Sequence, residues 1–354
     1  MSPAPQSRNL IGLASLSGMV ALTIYLMVVG EGIFLPLVLA IFISYLVIAL
    51  GHAIEGIKIG TWRPNSTVGL LLATLVFIMA ITGVVQIIAD NLREVANAAP
   101  QYQERLKQVL AQVSALIAKI FGKGKPLSMT TLLNQIDLGI VLTSFAGAFQ
   151  TIAGNTFQIF AYVTFLLLES RHFDRKMQAM FPDKEREKTV RATMSQIGKR
   201  IETYVLVKTM ISFLVGVASF VVLTVADVDF APFWALLIFV LNFIPYIGSP
   251  MGMMFPTLMS LLKFGSIPSA LITLAFLWGV QSTIENFLEP KLMGRSLNLS
   301  PVFMMLSLSV WGAIWGITGM ILAVPIMVMT MIVLAQFPET RPVAVMMSET
   351  GEVR

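Results

Sequence analysis

The chain has 354 residues, of which 56% are hydrophobic and only 12% charged, with a mean hydropathy of +0.82. Soluble proteins carry about 25% charged residues, so this composition excludes a cytosolic globular protein and points to a polytopic membrane chain. The absence of cysteine excludes disulfides, thiolate metal centres and a cysteine nucleophile, and two histidines, His52 and His172, are too few for a histidine-built metal site. No cofactor is implied, and the net charge of +5 implies no nucleic acid, because the basic residues cluster in loops where they set membrane orientation.

Apolar runs lie near Leu10 to Val29, Ile33 to Leu50, Val68 to Ala89, Phe145 to Leu168, Val205 to Ala226, Phe233 to Leu262, Ala270 to Leu288 and Val302 to Leu334. Set against the ~20 residues that cross ~30 Å of hydrocarbon, they predict an all-α membrane protein of about eight transmembrane segments. The first run follows a leader whose only basic residue is Arg8 and lacks a small-x-small cleavage site before Glu31, so it reads as an uncleaved span. A cytoplasmic N-terminus puts Lys58, Arg63 and the Glu169 to Lys208 connection inside, and that connection alone holds ten of the 24 Lys and Arg. Glu31, Asp227 and Asp229 then lie outside, in short connections without Lys or Arg.

In chain order this gives the first three spans over 1–89, an external amphipathic region over 90–142 and a fourth span over 143–168. A basic cytoplasmic helical region follows over 169–204, then a C-terminal bundle over 205–336 with broken segments, and a cytoplasmic tail over 337–354. In the external region Tyr102, Leu106, Val109, Leu110, Val113, Leu116, Ile117 and Ile120 recur at helical spacing, and GKGKP (Gly122 to Pro126) ends the pattern. Two readings fit: a helix lying on the bilayer or packed on the bundle, or a gate or oligomer contact. In the basic region a stripe of Val190, Met194, Ile197, Ile201 and Tyr204 follows the turn at Phe181 to Asp183, with Asp183 as its N-cap. Its Lys184, Arg186, Lys188, Arg191, Lys199 and Arg200 read as topology-determining charge or as an anionic-lipid contact.

The broken segments carry the functional signal. Segment six is about 30 residues long, and NFIPYIGSP (Asn242 to Pro250) at its centre places Pro245, Gly248 and Pro250 where each interrupts helical hydrogen bonding. The arms on either side, about 12 residues each, fit a re-entrant hairpin or a broken helix. The last run is also over-long and carries WGAIWGITG before Pro325. Tyr246 and Trp315 are followed at the same offsets by Ser249 and Thr318, Met251 and Met320, and Pro256 and Pro325, a weak internal repeat of the kind that marks a midplane site. Gly312 and Gly316 form a GxxxG spacing that permits close helix packing, and Trp311 and Trp315 read as interfacial anchors.

Between the broken segments stands QSTIENFLEPKLMGRSLNLSP, Gln281 to Pro301. On a helix Gln281, Glu285 and Glu289 share one face, with Asn286 beside them. Intramembrane carboxylates are functional-site candidates, so Glu285 is a candidate for proton or cation coupling, while Glu289 with Lys291 and Arg295 forms a candidate charge network. The rival reading for both is a charge network that orients a helix end. Lys208, near the start of a span, reads as a snorkelling side chain or a substrate-binding lysine.

YVLVKTMISFLVG (Tyr204 to Gly216), WALLIFVLNFIPYIGSPMG (Trp234 to Gly252), ENFLEPKLMGRSLNLSP (Glu285 to Pro301) and WGAIWGITGMILAVPIMV (Trp311 to Val328) together resemble the autoinducer-2 exporter family. The resemblance extends through PQYQERL at Pro100 to Leu106 and covers almost the whole chain. It implies an eight-segment bacterial inner-membrane transporter, a homo-oligomer and in one form a pentamer, which exports the quorum-sensing signal or another small solute. Sodium or lithium/proton antiport is the alternative activity within that family. By match to its motifs the resemblance carries over Asn242, Pro245, Gly248, Glu285, Asn286, Glu289, Pro290, Gly294 and Arg295. With Tyr246 and Ser249 from the break, the candidate substrate-binding or gating set is Asn242, Pro245, Tyr246, Gly248, Ser249 and Asn286.

The expected partners are the lipid bilayer, a small-molecule substrate, and a proton or sodium ion for coupling. There is no GxxxxGK[ST] loop, so export is expected to run downhill or on an ion gradient. Catalysis is not expected: Ser249 is the one serine in a suggestive setting, but both histidines fall in loops and no base is positioned for it. A passive channel or scaffold is the remaining class.

Overall fold

The computed structural model describes residues 18–19, 21–56, 64–121, 154–170, 172–293 and 298–352. Arg8, Lys58, Arg63, the GKGKP stretch, Gly294 and Arg295 lie outside them. After a helical stretch at 21–29 come α1 (Glu31–Glu55), α2 (Ser66–Phe121), α3 (Thr156–Ser170), α4 (Phe173–Met180), α5 (Lys184–Val225), α6 (Ala231–Leu241), α7 (Gly248–Phe264) and α8 (Ile267–Thr283). A π turn (Ile284–Leu288) leads into α9 (Glu289–Met293), followed by α10 (Pro301–Ala335) and α11 (Arg341–Met347). Among the described residues all regular structure is helical apart from one β-bridge between Leu299 and Ser348. Hydrocarbon imposes this, since a lipid-facing backbone has to satisfy its hydrogen bonds within its own segment.

Two helices are longer than any membrane. α2 has 56 residues, about 84 Å at 1.5 Å per residue, so the third span and the stripe that begins at Tyr102 are one rod rather than a span and a separate surface helix. α5 has 42 residues and likewise joins the basic region to the fifth span. It starts where Asp183 Oδ1 accepts the Glu185 N–H at 3.0 Å, the cap expected from the sequence. By length and composition five helices can cross a membrane: α1, the Ser66–Ile87 part of α2, α5, Ile267–Leu292 and α10.

The chain divides into two compact units. The first comprises Met1–Tyr45, Asn155–Ile201 and Asn298–Arg354; the second comprises Leu46–Gly154 and Glu202–Leu297.

In the second unit, segment six is a helical hairpin, the geometry that the re-entrant reading of the sequence requires. α6 with 11 residues and α7 with 17 reach about 16 and 25 Å, both short of ~30 Å of hydrocarbon. Lys263 at the end of α7 returns to the residues that precede α6, with Nζ 2.9 Å from the carboxylates of Asp227 and of Asp229. The arms pack closely: Trp234 stacks on Phe255 with centroids 6.1 Å apart, and a Cβ on Gly248 would lie 1.8 Å from the Leu241 carbonyl oxygen. The connection Asn242 to Ile247 includes Tyr246 at φ 62°, a left-handed conformation that costs an L-residue about 1–2 kcal/mol.

The first unit contains a second hairpin, inside α10. Trp315 (φ −128°, ψ 19°) and Gly316 (φ 60°, ψ −143°) leave helical geometry, and the Ser307 hydroxyl donates to the Ala323 carbonyl at 3.1 Å. Those residues would be about 24 Å apart along a straight helix, so the last run folds back on itself. A Cβ on Gly319 would lie 2.0 Å from the Trp311 carbonyl oxygen, the counterpart of Gly248 against Leu241. The two hairpins thus correspond through Tyr246 with Gly316 and Gly248 with Gly319, a residue or two off the match visible in the sequence. Gly312 and Gly316 do not share a helix face, because Gly316 is the turn. Trp315 is no interfacial anchor either: it is buried with Leu35 and Leu322, and its indole N–H donates to the Met27 carbonyl at 3.1 Å.

The native chain has no cysteine, so single cysteines report sidedness directly. We expect Asp227→Cys and Phe264→Cys to react with an impermeant maleimide from the same face of sealed vesicles. Reaction from opposite faces would restore a crossing for segment six.

Candidate functional site

At the apex of the first hairpin the second unit buries a cluster of polar side chains. Asn242 ends α6, and its side-chain N–H donates to the Ser212 hydroxyl of α5 at 3.0 Å. Its side-chain carbonyl accepts from Gln281 Nε2 at 2.8 Å. The same Gln281 nitrogen lies 2.8 Å from Ser249 Oγ and 2.7 Å from Glu285 Oε1, and the Ser249 hydroxyl donates to Glu285 Oε1 at 2.5 Å. Ser212, Asn242 and Gln281 are each at most 2% exposed. An amide nitrogen has two hydrogens, and here it faces three acceptors, so one is always left over to bond another group.

The helix that carries Gln281 changes pitch where it meets this cluster. In a regular α-helix each i to i+4 step drifts about 40° around the axis. The π turn at Ile284–Leu288 winds more slowly and offsets that drift, which keeps Gln281, Glu285 and Glu289 directed towards α5 and the hairpin. Glu289 meets Lys208 at 2.9 Å, and Lys208 is 5% exposed. The lysine is therefore held inside by an ion pair rather than snorkelling to the surface. Tyr204, one turn before Lys208 on α5, has a buried hydroxyl with no hydrogen-bond partner among the described residues, at a typical cost of about 1–3 kcal/mol.

Of the residues proposed from sequence, Asn242, Ser249, Glu285 and Glu289 come together in this region, with Gly248 forming the close contact that shapes the apex. Pro245 lies in the connection, and Tyr246 projects from it, 57% exposed. Asn286 and Lys291 are exposed, and Arg295 is outside the described residues. Ser212 and Tyr204 are site residues that sequence reasoning misses. The signal for them is their spacing with Lys208, which puts all three on one face of α5.

At the other end of the hairpin the charges form a clamp. Asp229 accepts from the Tyr102 hydroxyl at 2.5 Å and from Lys263, Asp227 accepts from Lys263, and Arg105 donates to the Lys263 carbonyl at 2.9 Å. Two side chains of α2 therefore hold the hairpin's base.

Taken as chemistry, the apex has donors, acceptors and one carboxylate, all set in an apolar helical unit, with no group of three or more potential metal-ligating side chains among the described residues. It suits reversible binding of a small polar solute. The comparisons with known proteins agree on the process: the sequence model of the AI-2E family transporter matches residues 16–339. The chain belongs to the AI-2E transporter family. It is 29% identical over 324 residues to the AI-2 transport protein TqsA of Escherichia coli, covering 90% of each chain. It is also 26% identical over 331 residues to a provisionally named transport protein of Haemophilus influenzae, covering 91% of this chain and 92% of that one. A provisionally named transport protein of Bacillus subtilis, YrrI, matches at 24% over 322 residues, covering 87% of this chain and 88% of that one. The transporter is thus a multi-pass membrane protein.

The clamp makes the base of the hairpin sensitive to pH at both extremes. Burial pushes the Asp229 carboxyl up, but the Tyr102 hydroxyl and Lys263 outweigh it and hold the group below its ordinary 3.8. Burial and then the bond to Asp229 push the Tyr102 phenol above its ordinary 10.0. For Lys263 burial acts downward, and the two aspartates more than offset it, raising the ammonium above its ordinary 10.5. The Asp229 contribution to the clamp is present above its unfolded value and lost as pH falls through its depressed folded value. The Tyr102 and Lys263 contributions are present below their unfolded values and lost as pH rises through the raised ones. Hydrogen-exchange protection at 225–231, taken relative to the intrinsic rate at each pH, should therefore be highest near neutral pH and fall below about pH 4 and above about pH 10, and Asp229→Asn should flatten the acid limb.

The internal pair makes a different demand on the fold. Lys208→Met leaves Glu289 without its partner and should lower stability by about 3 kcal/mol, whereas Lys208→Met combined with Glu289→Gln should recover most of the loss in thermal unfolding.

Proposed function

We propose that the protein is a secondary transporter that exports a small polar solute across the bacterial inner membrane by alternating access. The candidate solute is autoinducer-2, the quorum-sensing signal, taken from the name of the Escherichia coli relative. The observation that carries this reading is the polar cluster of buried Ser212, Asn242 and Gln281 with half-buried Ser249 and Glu285 at the apex of a helical hairpin. Non-helical backbone at membrane depth is tolerated chiefly where it is buried in protein or lines a cavity, and broken segments place transporter sites.

Orientation supports it. With a cytoplasmic N-terminus, eight crossings would leave Lys291 and Arg295 outside, against the positive-inside tendency. A returning segment six brings that connection to the cytoplasm, together with Lys208, and a returning last run leaves the tail cytoplasmic as well. The homo-oligomer, a pentamer in the resemblance, belongs to the same proposal.

A second reading is monovalent cation/proton antiport, favoured by one observation: the Glu285 carboxylate accepts from both Ser249 and Gln281 inside the cluster. The two readings separate in sided proteoliposomes that measure uptake of labelled autoinducer-2 with and without proton and sodium gradients. Solute export predicts saturable uptake that falls at least about tenfold in Asn242→Ala. Antiport predicts no movement of the signal, a proton gradient collapsed by sodium, and loss of that collapse in Glu285→Gln.

A further inference from the structure

Tyr204, Lys208 and Ser212 follow one another at four-residue spacing on α5 and form a single stripe. Ser212 is bonded to Asn242, and Lys208 is paired with Glu289. Tyr204 differs: it is 4% exposed, its hydroxyl is buried without a partner among the described residues, and the Glu289 carboxylate is near enough to act on it electrostatically. Buried tyrosine hydroxyls ordinarily find a partner, and phenylalanine would supply the same packing without burying a polar group. The hydroxyl therefore calls for a partner from outside the protein.

We propose that Tyr204, Lys208 and Glu289 form a second polar subsite, one to two turns along α5 from the apex cluster, which takes a neutral solute bearing hydroxyl groups. This rests on the solute-transport reading and names the chemical class it selects. The Tyr204 hydroxyl and the Lys208 ammonium donate to a solute oxygen, and the Glu289 carboxylate accepts from a solute hydroxyl. The pair sums to zero charge. An anionic solute is repelled by Glu289 and a cationic one by Lys208, while a neutral hydroxyl both accepts and donates.

The subsite has a route open to it. In the conformation described, the Tyr204 hydroxyl is sealed, but the Glu289 side chain keeps 21% of its surface exposed and forms the lip. The π turn at Ile284–Leu288 immediately precedes α9, and such turns recur at points of functional adjustment in helices. Displacement of α9 there carries Glu289 away from α5 and opens Lys208 and Tyr204 to a solute released from the Asn242 cluster.

The test is equilibrium binding of radiolabelled autoinducer-2 to the purified full-length protein, with thermal unfolding measured alongside, for the wild type, Tyr204→Phe and Asn242→Ala. Because the hydroxyl has no partner among the described residues, Tyr204→Phe is expected to unfold at the same temperature as the wild type or higher, yet to bind about five- to tenfold more weakly. Sodium erythronate, a small hydroxylated anion, is expected not to compete. If Asn242→Ala weakens binding and Tyr204→Phe does not, the subsite is overturned while the transport reading stands. Binding unchanged in Tyr204→Phe with only the transport rate altered overturns it too, since the hydroxyl then serves the conformational step. If the wild type binds no autoinducer-2, the reading of the solute falls first and the subsite assigned to it falls with it.

Discussion

Backbone groups released inside hydrocarbon have to find partners within the protein, and the arrangement of this transporter follows from how its two breaks meet that demand. At the first break the chain turns through Asn242 to Ile247, and the Gly248 N–H bonds to the Ile244 carbonyl at 3.0 Å. The turn is tight enough that no side chain fits at Gly248, where a Cβ would strike the Leu241 carbonyl oxygen. At the second, Gly316 supplies the positive φ and Gly319 the close approach, while Trp315 reaches the Met27 carbonyl. Both solutions use a residue in the left-handed region and a glycine pressed against the end of the preceding arm. The recurrence is physical as well as textual, because the same problem of reversing a helix within a bilayer has been solved twice with the same parts.

The first hairpin is held very differently at its two ends. Its base is a clamp of full charges, with Lys263 between Asp227 and Asp229 and Tyr102 and Arg105 of α2 bonded to it. Its apex has amides and hydroxyls around one carboxylate. The neutral bonds that link Ser212, Asn242 and Gln281 net roughly 1 kcal/mol each and exchange readily for bonds to a ligand, whereas charge-assisted bonds such as those of the clamp are roughly twice as strong. A hairpin fixed at its base and exchangeable at its apex is suited to local rearrangement around a bound solute without loss of its anchorage.

The breaks are legible in the sequence because proline and glycine inside a long apolar run interrupt the hydrogen bonding that hydrocarbon otherwise enforces. The face shared by Gln281, Glu285 and Glu289 is legible because spacing alone determines it. The return of segment six is not, since arms of about a dozen residues fit a hairpin and a broken crossing equally well. That decision rests on Lys263 meeting Asp227 and Asp229 from the far end of the hairpin, contacts that no local pattern encodes. The fate of Lys208 is hidden for the same reason: its partner Glu289 lies 81 residues away, and a lysine near a helix end with no visible partner reads as one that reaches for water. The continuity of α2 and α5 is hidden because composition changes along each rod while the helix does not. Periodicity registers a change of surroundings, from lipid to a partly polar environment, and marks a boundary there although the backbone continues.

The placement of the buried lysine follows from these points. Lys208 is carried on the same face of α5 as Ser212, one turn from the apex cluster, and a lone ammonium there would impose a strong preference for anions on any solute nearby. Glu289 cancels that field at 2.9 Å, and it arrives on the far side of a π turn that keeps it in register with Gln281 and Glu285. The unit thus contains a carboxylate in its cluster and a neutralised pair beside it, all set in apolar surroundings where an unbalanced charge is expensive. Parting Glu289 from Lys208 would leave two unpaired charges in those surroundings, so the ion pair itself favours the arrangement in which α9 lies against α5.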